Sequence, residues 1–342
     1  MAGPGGNAPT QHDVARALGI SVSAVSLALN DRSGVSEDLR ARVRQTAADL
    51  GYRPNTSAVA LRTRRSRTIG LLIRNLSNPF FLDVIEGFEA VCAGSGYALI
   101  TASSHYDLRR ETELMRTFIA RGVDALALAP VGGSRAAGEW HRTTGRPTVL
   151  LNAARLGRAL PVMRTHVDGV AAVEQAVGHL ADLGHRRLAL LSAPRRRSPD
   201  PERADTFLRV VAERRLSGRI LETELTAAAA GPALDAELAR PRRSRATAVI
   251  TNSDHLAHVV YAAAAGQGLR IPDDLSVVGH DDLPTSALLA PPLTTLAVDR
   301  RTIGVTAAGL LLDALAGRPA TTRDVSLPAT LLVRGSTAPP PR

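Results

Sequence analysis

The 342-residue chain has no lysine, so all of its 42 basic side chains are arginine; set against 32 acids they leave a formal net charge of +10. Richness in Ala, Arg, Gly and Pro accompanies this and reads as coding bias. Charge therefore supports an anionic partner such as nucleic acid only alongside other signals. The single Cys92 excludes a disulfide framework and a thiolate metal site, and its helical apolar position predicts a buried packing thiol. Aromatics are only 3% of residues, so rings for stacking against a ligand are scarce. No charged-then-apolar leader opens the chain and no apolar run approaches a membrane span, giving the expectation of a cytoplasmic protein with no membrane partner.

Catalytic signatures are also missing. His255 and His258 stand i, i+3 on a helix without a further ligand, so neither a metal nor a cofactor is expected. Asp281 and Asp282 are adjacent, and their side chains diverge. Gly94-Ser95-Gly96 closes a helix before a strand, the wrong context for a nucleophile elbow or a phosphate loop. An enzyme is not expected.

The most legible stretch is TQHDVARALGISVSAVSLALN, Thr10 to Asn30. Thr10 with Asp13 starts one helix in the manner of a capping box, Gly19 stops it, and Ser21 is the N-cap of the next. Val14, Ala15 and Leu18 share one face; Val25, Ala28 and Leu29 share another. The short turn predicts a steep helix pair in which Val22, Ser23, Ser26 and Leu27 face a DNA major groove, with Thr10, Ser26, Asn30 and Tyr52 placed for phosphates. A third helix runs from its cap Ser36 to Leu50, with Leu39, Val43, Ala47 and Leu50 inward and Gly51 as its stop. Residues 1–67 carry ten arginines against five acids, half of the chain's net charge.

From Thr68 the pattern changes to apolar strand then amphipathic helix, repeated. TIGLLI, YALITAS, ALALAP and PTVLLN form one series. After helix 169–183, the segments RLALLSA, TELTA, TAVIT and LSVVG form another. Two such series predict two doubly wound parallel sheets covered on both faces, with ligands expected at the carboxyl ends of strands. Phe80, Phe81, Asn152, Arg155, Arg203, Ser253, Asp254 and Asp281 fall just after strands, where side chains face such a cleft.

The segments DVARALGISVSAVSLALN, VSEDLRARV, LGYRPNTSAVALR and RSRTIGLLIRNLSNPFF resemble, in order and spacing, the amino-terminal part of a LacI/GalR-family transcriptional regulator. The resemblance continues through LGHRRLALLS, LRIPDDLSVVGHDDLP, PPLTTLAVDRRTIG and LLVRGST, nearly to the end of the chain. Residues 1–9, MAGPGGNAP, are Gly/Pro-rich and expected to be disordered. The resemblance implies a helix-turn-helix head over 10–52, a hinge helix and linker over 53–67, and a periplasmic-binding-protein-like core over 68–342. Within the core it implies one subdomain of about 68–166 and 293–324 and another of about 167–292 and 325–336, with three crossings between them. It further implies a homodimeric repressor on a near-palindromic double-stranded operator, modulated by a small-molecule effector that is by family default a carbohydrate. In that family the hinge opening at Asn55 folds over the minor groove, where Leu61 is the wedge. Arg203 and Asp281 would grasp polar groups of the effector. The chain departs from the family at Ser253-Asp254, where Asn-Asp is common, and at RADTF, which replaces Arg-x-x-Gly-Phe. A periplasmic ligand-binding protein shares the core architecture but lacks the head, and a sugar-processing enzyme would turn its ligand over.

The Leu61→Ala variant is expected to weaken operator binding and reduce the DNA bend while leaving dimerisation and effector binding intact. Affinity and bend angle measured together check this; both unchanged would make Leu61 a plain linker residue.

Overall fold

The computed structural model describes residues 9–53, 65–132, 135–153, 162–194, 198, 200–318 and 322–341. Asn55, Leu61 and Arg155, three of the expected contacts, lie outside the described residues, as does most of the linker. The chain forms two compact units, Met1–Ser66 and Arg67–Arg342.

The first unit holds α1 (Gln11–Leu18), α2 (Val22–Leu29) and α3 (Glu37–Asp49). Asp13 Oδ2 accepts from both the Thr10 amide (2.9 Å) and the Thr10 hydroxyl (2.7 Å), so the threonine donates to the carboxylate. Gly19 closes α1 at φ +65°, a backbone that glycine adopts without Cβ strain. Ser21 and Ser36 cap the next two helices, their hydroxyls accepting from Ala24 N and Leu39 N, each at 3.2 Å. Val14, Ala15, Val25, Ala28, Val43 and Ala47 form the small core. Leu50, expected inward, is 39% exposed because α3 ends one residue earlier, and Tyr52 covers the cluster instead. Buried Arg40 ties the preceding loop to α3 through Asp31 (3.1 Å) and Glu37 (3.2 Å).

The second unit contains two six-stranded sheets. The first is ordered β11 (Asp324–Leu327), β5 (Met163–Val167), β4 (Thr148–Leu151), β3 (Ala125–Leu128), β1 (Thr68–Ile73), β2 (Ala98–Ser103). The second is ordered β12 (Ala329–Leu332), β10 (Thr294–Val298), β9 (Ser276–Asp281), β8 (Ala248–Thr251), β6 (Arg187–Ser192), β7 (Ser217–Glu222). All pairs are parallel except β10 with β12. The connecting helices are α4 (Phe80–Gly94), α5 (Leu108–Ala120), α6 (Arg135–Thr144), α7 (Gly169–Asp182), α8 (Pro201–Glu213), α9 (Ala227–Leu238), α10 (Asp254–Gly266) and α11 (Arg300–Leu315). No single helix among the described residues is long and apolar enough to cross a membrane. Cys92 is buried in the core, where burial pushes its thiol up to about 12.

Two expectations are corrected, and one further strand emerges. TELTA is not a strand: β7 precedes it, and Thr226 within it caps α9 by accepting from Ala229 N. MRTHV, unassigned by its mixed polarity, is β5; Arg164 within it forms two bonds to Asp324 of β11, at 2.8 and 2.9 Å. The subdomain boundaries also shift. Residues 294–298 belong to the second sheet, because the Pro284–Leu288 turn supplies the crossover that lets β10 lie parallel beside β9. Residues 324–327 belong to the first, alongside β5. The chain thus crosses between sheets after β5, after β10 and between β11 and β12.

Helices α4 and α11 approach closely through two glycines. A Cβ on Gly304 would lie 2.0 Å from Val84 O, and one on Gly87 would lie 2.3 Å from Arg301 O. Nothing stands within 4 Å of a Cβ on Gly309 of the same helix. Gly304→Ala should therefore destabilise the chain by about 1–3 kcal/mol or more, while Gly309→Ala should be neutral or stabilise by up to ~1 kcal/mol. Thermal melting of both variants checks the contrast; equal effects would mean the helix pair tolerates the methyl group.

Candidate functional site

In the head unit, α2 presents Ser21, Ser23 and Asn30 to solvent, and Thr10 is exposed at the start of α1. Ser21 Oγ and Ser23 Oγ are 2.9 Å apart, and Asn30 Nδ2 donates to Ser26 O at 2.7 Å, so the polar edge is partly pre-ordered. Ser26 and Leu27 are half-buried. Val22 and Tyr52 pack against the head cluster, which leaves each less side chain to offer outward than the sequence pattern suggests. Arg16, Arg32, Arg42 and Arg53 are exposed on the same small unit.

In the second unit, Phe80, Phe81, Asn152, Arg203, Ser253 and Asp281 line one cavity of about 60 Å³ at the carboxyl ends of strands from both sheets. Asp254 does not line it. Ser253 caps α10 by accepting from Leu256 N, which turns the Asp254 side chain under the sheet. There its carboxylate accepts from Leu283 N (2.9 Å), Ser286 Oγ (2.5 Å) and Thr295 Oγ1 (2.6 Å), bracing the β9–β10 connection. Its pKa is raised, by burial first and then by the charge of Asp281.

Sequence reasoning missed other cavity residues, among them Arg74, Asn78, Tyr106, Asp200 and Asn252. The signal for Arg74 and Asn252 was present, since each is the first residue after an apolar strand, as Asn152 is. Arg203 Nε lies 2.8 Å from Asp200 Oδ2, and its Nη1 donates to Asn252 O (3.3 Å) and Oδ1 (3.2 Å). Gly169 at the start of α7 leaves the room: a Cβ there would lie 2.9 Å from Arg203 Cγ. Asn152, at φ +43°, accepts from Val167 N at 3.2 Å and so joins β4 to the first crossing. The Phe80 and Phe81 rings meet edge to face at 5.2 Å, and the Arg74 guanidinium lies 5.5 Å from the Phe81 ring centre.

Asp281 and Asp282 have φ of +117° and +54°, a left-handed pair uncommon for these residues. Arg300 holds the pair. Its Nη1 donates to Asp281 O (2.5 Å) and Asp282 O (2.8 Å), and its Nε donates to Asp83 on α4 (2.8 Å). The Asp281 side chain meets His280 Nδ1 at 3.0 Å. Burial is the main cause that pushes its carboxyl up to about 7, against the pull of Arg203, Arg300 and Arg74. Burial likewise holds His280 well below its ordinary value.

Residues 10–55 match the lacI family of bacterial regulatory proteins, and residues 177–337 match the periplasmic binding protein-like domain. The chain is 31% identical over 328 residues to the ribose operon repressor of Bacillus subtilis, an alignment covering 96% of this chain and 98% of that protein. It is 30% identical over 340 residues to the transcriptional repressor CytR of Escherichia coli, covering 96% of each. Its fold matches the lac repressor dimer bound to operator and the anti-inducer ONPF, with a TM-score of 0.84, 24% identity, and 97% and 100% of the two chains covered. A LacI family regulator from Enterococcus faecium with bound ribose aligns with a TM-score of 0.69 and 27% identity, over 80% of this chain and 99% of the other.

A carboxyl raised in the folded state keeps a proton that the unfolded chain has released. Asp281 therefore costs stability progressively as pH rises from 3.8 to about 7, and fully above that. Asp281→Asn is expected to melt higher than the parent at pH 8, by an amount on the order of 2–4 kcal/mol, with the gap closing by pH 4. Parallel melting curves across that range would mean that Asp281 is ionised throughout.

Proposed function

Because the chain belongs to the LacI family of bacterial regulatory proteins, we infer that it is a cytoplasmic, homodimeric repressor whose operator affinity is set by a small-molecule effector in the cleft between its two sheets. The observation that carries this reading is the pairing, in one chain, of a capped helix-turn-helix head with a two-sheet core in which Arg203 and Asp281 line a polar cavity. A two-fold dimer presents two copies of α2, so the operator is a near-palindrome. Thr10, Ser21, Val22, Ser23, Ser26, Leu27, Asn30 and Tyr52, with Asn55 and Leu61 of the hinge, are the proposed DNA-contacting positions. Phe80, Phe81, Asn152, Arg155, Arg203, Ser253 and Asp281 are proposed for the effector. The repressors CytR and ribose operon repressor support the reading by likeness, and the ribose operon repressor and the ribose-bound regulator favour a sugar or sugar derivative.

Catalysis is not part of this reading. The buried carboxylate Asp254 is occupied by three hydrogen bonds within the β9–β10 connection.

Direct base readout is expected to be light, because α2 offers serine hydroxyls and short apolar groups rather than long donors. More of the affinity then comes from phosphate contacts, making binding steeply salt-dependent. Operator selection from a random DNA pool tests both the function and the helix register. The natural chain should enrich a near-palindrome, and failure to enrich any sequence removes the repressor reading. Leu27→Arg should add a guanine preference at one symmetric pair of positions, worth ~1–3 kcal/mol of discrimination; an unchanged consensus would mean that Leu27 does not face the groove.

A further inference from the structure

The charge balance of the cleft, taken as the effector site proposed above, points to what the effector carries. Arg74 directly follows β1 and is only 8% exposed, yet it lines the cavity. Its two hydrogen bonds, both through Nη1, go to the carbonyl oxygens of Asn152 (3.1 Å) and Pro130 (3.4 Å). Every Asp and Glu of the chain falls within the described residues, and none of them forms an ion pair with Arg74. A guanidinium has five N–H donors, so most of its donor capacity is left over. Arg203, 9% exposed, lines the same cavity, and its charge acts on Arg74 repulsively.

The acids nearby leave Arg74 without an ion pair, although Asp200 and Glu111 act on it at longer range. Asp200 is taken up by Arg203 at 2.8 Å. Asp281 faces His280, and burial raises its carboxyl to about 7. Glu111 accepts from Val131 N at 2.7 Å and is also raised to about 7, chiefly by burial, so near neutral pH each carries only part of a charge. Burial lowers the pKa of Arg74 itself, yet an arginine stays protonated. A buried cation without an anionic partner is costly, and a second cation close by raises that cost. The fold places both where a ligand can reach them.

We propose that the effector is an acidic polyol, a small hydroxylated molecule bearing one carboxylate or phosphate group, and that this anionic group is held by Arg74 with Arg203 beside it. Asn152, Asn252, Ser253 and Tyr106 supply the polar neighbours suited to hydroxyls. The planar fork of Arg74, lying against the Phe81 ring, offers paired donors to two oxygens of one anionic group.

The test uses the full chain, with inorganic phosphate as the head-group probe and sodium chloride at matched ionic strength as its control. Phosphate should raise the melting temperature saturably, by a few degrees. Arg74→Gln should lose that shift, and Arg74→Lys, which keeps the charge without the fork, should retain part of it. Absence of a saturable shift in the natural chain overturns the proposal whether or not either variant folds, and so does an equal shift in Arg74→Gln. D-gluconate and D-glucose 6-phosphate distinguish carboxylate from phosphate, with D-glucose as the neutral partner; D-glucose stabilising as strongly as both overturns the proposal. Operator binding in the same samples separates this from the parent reading. Arg74-dependent anion binding, with operator affinity unmoved by the compounds that bind, leaves the anion site standing and removes the effector role of the cleft. A neutral sugar that shifts operator binding equally in the natural chain and in Arg74→Gln does the reverse.

Discussion

Arg300 stands where the chain passes from the second sheet to the first, and its guanidinium spans that passage from Asp83 on α4 to the carbonyls of Asp281 and Asp282. Without a donor there, two successive aspartates would have little reason to hold positive φ. That backbone turn aims the Asp281 carboxyl into the cavity beside Arg203, while α4 brings Phe80 and Phe81 to the facing wall. The cleft's two walls are thus set by one largely buried cation whose bonds fall on both sides of a strand crossing. The glycines at the α4–α11 crossing complete the arrangement, since they let the helix that carries Arg300 lie directly on the helix that carries Asp83.

The absence of lysine acquires a structural meaning beside this. Arg40 in the head, Arg164 on β5, and Arg74, Arg203 and Arg300 around the cleft are all largely buried, and all but Arg74 spread their donors over partners that a point-like ammonium would serve less well. Coding bias explains why the cations are arginine. It does not explain why so many are inside, and there the fork geometry supplies the reason.

The head was legible from sequence because its determinants are local: Gly19, Ser21 and Ser36 act within a few residues of where they stand. The apolar strands were legible for the same reason, as runs bounded by polar residues. What failed was non-local. β5 has no apolar run and is held at its edge by a pairing between Arg164 and Asp324, 160 residues apart. The assignment of β10 to the second sheet depends on which neighbour it reaches, which periodicity does not encode. In the cleft, sequence position located strand ends correctly but not the direction of side chains there. Ser253 and Asn252 face the cavity, whereas Asp254, one residue on, turns under the sheet.

The first sheet receives its edge strand β11 only at residues 324–327, and α11, which packs across α4, only at 300–315. A ribosome making this chain therefore delivers five strands of that sheet by residue 167 and withholds the sixth, with one covering helix, until residues 300–327. The second sheet is similar, since β12 follows β11. Neither half is a continuous stretch that can close its core while the rest is still being made, so each sheet waits for residues made after most of the other.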